Sequence, residues 1–262
     1  DSVASRGLGD VYKRQGKDSR MTPSFSPADV AATSPEQLAR LREGPAEHYA
    51  AWIRTAAEMG LVEAQTIYGQ MLLDGVGVPQ DQAEGLAWFK RAANADHLMA
   101  INMIGRCYEN GWGVAPDDTV AAYWFRLAAD RGLDWGMYNY AHMLKSGRGG
   151  VVQNRAAALA LYQQAAQGGH VKSIGVVGRF YEAGDVVAQD LERAFDCYQR
   201  CAEGGDFRGM FHLGRMLLQR GRKEEAVQWL VRVPETATPA FLREADAMLR
   251  DSGFPALYET GA

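Results

Sequence analysis

Two cysteines four residues apart, Cys197 and Cys201, lead the short inventory of side chains that could do chemistry in this 262-residue chain. On a helix that spacing puts both thiols on one face, where they could share a metal ion. No histidine or further cysteine stands near them at zinc-ligand spacing. Both also occupy places that carry apolar residues in other copies of the same sequence pattern, so the expected role is that of small core hydrophobes. Cys107 makes the count odd, and no disulfide framework is visible. The five histidines, His48, His97, His142, His170 and His212, are scattered, and no G-x-S-x-G or comparable nucleophile signature accompanies them. His97 and His170 fall where segments begin and are expected to be exposed. The Gly-x-Gly stretches Gly75–Gly77 and Gly111–Gly113 could cradle a phosphate, but neither follows a strand, as the dinucleotide fingerprint requires, so they read as turns. The acid pairs Asp117-Asp118 and Glu224-Glu225 stand at helix starts, where carboxylates meet the positive end of the dipole. The expectation is no catalytic residue, no metal site and no cofactor.

The elements that would position any site come from a repeat. In Ala64–Ala93, AQTIYGQMLLDGVGVPQDQAEGLAWFKRAA, the residues Ala64, Tyr68, Met71 and Leu72 form one apolar helical stripe. GVGV then supplies turn positions, and Pro79 with Asp81 signals a second helix, anchored by Trp88. The pattern returns 36 residues on: Gly69 at Gly105, Gly75, Gly77 and Val78 at Gly111, Gly113 and Val114, Asp81 at Asp117, Trp88-Phe89 at Trp124-Phe125. Gly69 should cost about 1 kcal/mol inside a helix; its recurrence points to a close approach of a neighbouring helix. One such hairpin cannot bury its apolar face, whereas stacked copies can. The fold class expected is all-α: a right-handed α/α solenoid of about five helix-hairpin repeats with terminal capping helices.

The pattern A-x-x-x-[IL]-[YG]-G…L-x-x-G-x-G-V-x-x-D-x-x-x-A-x-x-W-[FY]-x-x-A-A resembles the Sel1-like repeat, a 36-residue relative of the tetratricopeptide repeat, over roughly Ala50–Val233. The resemblance implies an adaptor or scaffold for other proteins. Some secreted members lock each hairpin with a cysteine pair, which this chain lacks; that favours a reducing compartment.

Read in order, Ser5–Gln15, SRGLGDVYKRQ, resembles the translation of a transposon-end adapter used in sequencing libraries. Residues 1–20 are therefore expected to be non-native and disordered, with a native start at Met21 or further upstream. Residues 21–33 read as a flexible segment. The repeat region is placed at 34–251, with a tail over 252–262. Ser34 and Pro35 open a short helix, and Glu47–Met59, with Trp52-Ile53, is the second helix of a degenerate first unit. Five repeats follow, the first four starting near Leu61, His97, Leu133 and His170 and the fifth keeping Gly214, Leu217 and Leu218; the third has one extra turn residue, and the fifth loses the long turn. Pro239–Arg250, capped by Thr238, closes the array. Trp52, Trp88, Trp124 and Trp229 share one repeat position and are expected in the core. The net charge of −4 argues against a nucleic-acid partner. No apolar run is long enough to span a membrane, and neither Ser5–Gln15 nor Met21–Ala32 holds the core of a secretory signal, so the location expected is cytoplasmic.

By the same resemblance, the first helix of each repeat lines a concave face, with exposed positions six before, three before, one after and four after the helix glycine. These are Glu63, Thr66, Gln70 and Leu73 in the first repeat, then Met99, Asn102, Arg106 and Glu109. Trp135, Tyr138, His142 and Lys145 follow, then Lys172, Gly175, Arg179 and Glu182, and finally Arg208, Phe211, Arg215 and Leu218. Asn102, Arg106, Trp135, Tyr138, His142, Lys145, Lys172, Arg179, Arg208, Phe211 and Arg215 are the candidate partner-binding residues. A basic, aromatic groove in an acidic chain suits an acidic protein segment or C-terminal tail. The leading expectation is a non-enzymatic scaffold of undetermined oligomeric state. The alternatives are a hydrolase-type enzyme with its site near His142 and Arg179, and a structural subunit of a larger complex.

Overall fold

The computed structural model describes residues 23–258. The adapter-like stretch, Met21 and the last four residues lie outside them. Among the described residues there are fourteen α-helices, one 3-10 turn at Val233–Glu235, and no strand. The helices form two compact lobes: an N-terminal lobe ending at Arg131 and including 148–150, and a C-terminal lobe of 132–147 with the residues from Val151 onward.

In the N-terminal lobe, α1 (Pro27–Ala32), α2 (Pro35–Glu43) and α3 (Ala46–Glu58) precede two hairpins, α4 (Val62–Asp74) with α5 (Gln82–Asn94) and α6 (Leu98–Asn110) with α7 (Asp118–Asp130). In the C-terminal lobe α8 (Asp134–Ser146) pairs with α9 (Arg155–Gln167), α10 (Val171–Ala183) with α11 (Leu191–Glu203), and α12 (Phe207–Gln219) with α13 (Lys223–Leu230); α14 (Pro239–Asp251) closes the lobe. All ten helices from α3 to α12 are thirteen residues long. A constant length lets each hairpin offer its neighbour the same apolar surface.

The sequence sets these boundaries locally. The second helices α5, α7, α9 and α11 start where a side-chain oxygen caps backbone N–H groups. Asp81 Oδ1 accepts from Glu84 N (2.9 Å), Asp117 Oδ1 from Thr119 N and Val120 N, Asn154 from Ala157 N, and Asp190 from Arg193 N. First helices α4, α6, α8 and α10 end on a left-handed residue, Gly75 (φ 71°) and its counterparts Gly111, Gly147 and Gly184. The recurring glycine inside the first helix is a close-packing position, as expected. A Cβ on Gly69 would stand 2.8 Å from Phe89 Cε1 and 3.0 Å from Gly85 O. The third repeat carries Ala141 there, 0% exposed.

The core row of the second helices is the residue after the tryptophan. Ile53, Phe89, Phe125, Tyr162, Tyr198 and Leu230 are all buried to 2% exposure or less. Trp52 and Trp88 are buried as expected. Trp124 and Trp229 are only half-buried and pack against the flank of the core. In the same slot Cys197 is half-buried, while Cys201 and Cys107 are buried. Burial pushes the Cys107 and Cys201 thiols up to about 12, so both are protonated and unreactive at neutral pH.

Of the segment 21–33, expected to be flexible, the described residues 23–33 instead carry α1. Ser26 and Asp29 form a reciprocal capping box, Val30 is buried, and two long-range bonds hold the segment: Trp52 Nε1 donates to Thr33 Oγ1 (3.0 Å) and Thr55 Oγ1 to Phe25 O (3.1 Å). Apolar Phe25 and Val30 supply the burial that offsets ordering a Pro/Ser-rich stretch. At the other end Asp246, 4% exposed, accepts from Leu257 N and Tyr258 N, and Tyr258 donates to Leu230 O.

Candidate functional site

A cavity of about 360 Å³ opens in the C-terminal lobe among the first helices α8, α10 and α12. Repeat register builds it: Tyr138, His142 and Lys145 come from three turns of α8, Lys172 and Arg179 from two turns of α10, and Arg208 and His212 from one turn of α12. Tyr198 enters from α11. Lys145 and Arg179 also line a smaller adjoining pocket with Arg155. Arg155 pairs with Asp185, whereas among the described residues neither Lys145 nor Arg179 has an ion-pair partner. Burial, then repulsion from Arg179 and Arg155, holds the Lys145 ammonium below its ordinary value. Lys172 lies over the Trp135 ring (5.0 Å), and Arg208 over Phe207 (4.4 Å), which orients both cations. Asp206 is the cavity's one carboxylate, and its Oδ1 already caps α12 through Arg208 N and Gly209 N.

Below these cations lies a polar network that the sequence reading missed. Glu182 accepts from Tyr198 Oη (2.7 Å) and pairs with the buried Arg215. Burial opposes ionisation of Glu182, but donation from Tyr198 and Arg215 outweighs it and leaves the carboxyl below its ordinary value. His212 stacks on the Tyr198 ring (4.8 Å between centroids). Burial first, and Arg215 second, lowers its pKa to about 3, so the ring is neutral. Its Nδ1 is buried with no hydrogen-bond partner.

Seven of the candidate residues gather in this region: Tyr138, His142, Lys145, Lys172, Arg179 and Arg208 line the cavity, and Trp135 stands beside it under Lys172. Four do not fit the expected exposed face or this cavity. Phe211 is 0% exposed, because α14 covers it: its ring meets Phe241 edge-on at 5.7 Å. Arg215 is 7% exposed and is taken by Glu182 of the preceding repeat. Asn102, in the N-terminal lobe, is 2% exposed. The same position one repeat earlier, Thr66, is buried because it faces the start of the next first helix, where its Oγ1 lies 3.0 Å from His97 Nδ1. Leu73 is buried too. Arg106 is half-buried over the Trp112 ring (5.0 Å), also in the N-terminal lobe.

His97 and His170, expected to be exposed, are helix caps. Nδ1 of His97 accepts from Ala100 N (3.2 Å), leaving Nε2–H to donate to Glu63 (2.8 Å). Nδ1 of His170 accepts from Ser173 N, its ring meets Trp135 at 4.5 Å, and the residue is 8% exposed. Their position, one residue before a first helix, was the available signal; histidine is not among the common caps.

Among the described residues no group of three or more His, Cys, Asp or Glu could hold a metal ion, and no helix is long and apolar enough to cross a membrane. No curated protein matches the chain. The Sel1 repeat model matches four times, at residues 62–97, 98–133, 136–170 and 175–206. Among solved structures, a Sel1 repeat protein from Oxalobacter formigenes is similar at 25% identity and TM-score 0.70, over 86% of this chain and 94% of that one. The protective antigen c5321 of uropathogenic Escherichia coli, which displays an SLR fold, is similar at 25% identity and TM-score 0.61; 85% of this chain is covered, but only 49% of that one, so this chain spans about half its length. The immunity protein Pa5087 of Pseudomonas aeruginosa shares the fold at 17% identity and TM-score 0.55, over 80% of this chain and 84% of that one. Four consecutive matches on helix hairpins of constant length, with capped starts and glycine-packed interiors, place this chain in the Sel1 repeat family.

Proposed function

We propose that this Sel1 repeat protein is a non-enzymatic interaction module whose C-terminal lobe binds an acidic segment of a partner protein at the cavity of α8, α10 and α12. Sel1 repeat proteins in general serve as protein-interaction scaffolds. The observation that carries the reading is the convergence of Lys145, Lys172, Arg179 and Arg208 on one cavity of a chain whose net charge is −4. A cleft lined by one sign of charge focuses its field on a ligand of the opposite sign.

The hydrolase alternative gains one observation, since His212 is a strongly shifted group at a cavity. Two facts weigh against it. Burial explains the shift, and no serine, threonine or cysteine is among the residues lining the cavity for a neutral histidine to activate. The test is binding of the full chain to a peptide array graded in net charge. Binding should rise with acidity, weaken with salt, and fall at least about tenfold in Lys145→Glu/Arg179→Glu. Binding indifferent to both peptide charge and this variant would overturn the proposal.

A further inference from the structure

We propose that the anion this cavity recognises is a phosphomonoester carried by the partner's docking segment, so that phosphorylation of the partner switches binding on. The inference rests on the acidic-segment reading above and narrows it.

Three observations favour a phosphomonoester over a run of carboxylates. The first is shape. At about 360 Å³ the cavity is near the lower end of ligand-pocket sizes, which suits one compact group and its side chain. Acidic side chains spaced along a peptide would call for cations spaced along a groove. Here Lys145, Lys172, Arg179 and Arg208, from three successive first helices, surround one space.

The second is charge. Four cations face a single carboxylate, and Asp206 is already engaged with two backbone N–H groups. A carboxylate brings one negative charge. A phosphomonoester brings about −1.5 to −2 at neutral pH together with three strong acceptor oxygens. The depressed basicity of Lys145, after burial, comes from Arg179 and Arg155, as expected of a site whose positive charge is not balanced from within.

The third is the floor. His212 lines the cavity, is 7% exposed, and keeps a buried Nδ1 with no partner. Buried polar atoms are rarely left so. Its neutral ring can donate one hydrogen bond to a phosphoryl oxygen, while the Arg179 guanidinium can bind two oxygens side by side.

The test follows backbone amides of Gly175, Arg208 and Gly209 by NMR in the full chain, titrated with phenyl phosphate, inorganic phosphate and glutarate as a dicarboxylate control. Phenyl phosphate should give saturable shifts at the cavity, at least about tenfold tighter than glutarate, and tighter still as pH rises through the second phosphate pKa near about 6. Lys145→Gln/Arg179→Gln should abolish them while leaving the circular dichroism spectrum unchanged; the single variant Lys172→Gln should weaken them. Glutarate binding as tightly as phenyl phosphate overturns the phosphate proposal and leaves the acidic-segment reading standing. Inorganic phosphate matching phenyl phosphate overturns the partner-borne part. No saturable shift with any of the three overturns both.

Discussion

The reassignment of Arg215 from candidate binding residue to buried ion pair has a measurable consequence. Its side chain is 8% exposed, and that of its partner Glu182 26%. Glu182→Gln removes the counter-charge and keeps the shape and an acceptor for Tyr198. The guanidinium then stays in the interior without compensation. Breaking a buried pair from one side costs about 3–5 kcal/mol, and the retained amide places this variant at the lower end, about 3 kcal/mol. The double variant Glu182→Gln/Arg215→Met removes both charges, keeps the acceptor for Tyr198, and should lie within about 1 kcal/mol of the parent. Repeat arrays can unfold in parts, so the quantity to read is the opening free energy of α10 and α12 amides from native-state hydrogen exchange, with urea unfolding alongside. A loss below about 1 kcal/mol for Glu182→Gln would mean that Arg215 is already hydrated, and its guanidinium would return to the candidate binding residues. A double variant as unstable as the sum of its singles would show the pair to be uncoupled.

Phe211→Ala should destabilise the C-terminal lobe by about 3–5 kcal/mol in chemical denaturation, as a buried ring and not a surface contact would; a change under about 1 kcal/mol would return it to the surface. The folded pKa of His212, about 3, is depressed below the unfolded value. Stability from this group is therefore complete above the unfolded pKa of about 6.5 and falls by about 1.4 kcal/mol per pH unit below it, until about pH 3. Between pH 6.5 and 5 the stability of His212→Gln should accordingly change less steeply than the parent's, by about one proton; equal slopes would refute the assignment. Gly69→Ala and Ala141→Gly should both destabilise. The first places a methyl 2.8 Å from Phe89, which should exceed its helix-propensity gain of about 1 kcal/mol. The second loses about 1–2 kcal/mol of propensity and burial. Thermal melts would expose either error as a raised midpoint.

Much of the fold was legible because it is set within a turn or two of chain. Asp81 and Asp117 announce helix starts by capping, Gly75 and Gly111 announce ends by left-handed geometry, and the 36-residue recurrence announces stacking. The site was legible only where the repeat rule stays uniform. Around Ala141 and Gly178 the projected positions, from Tyr138 to Arg179, do line the cavity. Around Gly214 only Arg208 does, because α14 and Glu182 bury Phe211 and Arg215.

The chain by itself determined helix lengths, caps, turns and the stacking rule, since these follow from backbone geometry and the periodicity of apolar side chains. It also determined which side chains stand on the first-helix face. Tertiary structure decided which of them meet solvent. It assigned Arg215 to Glu182 across repeats, left His212 neutral, and made caps of His97 and His170. Those outcomes depend on what lies opposite a side chain from another hairpin, and on how much water that neighbour excludes. Neither is a property of the local sequence.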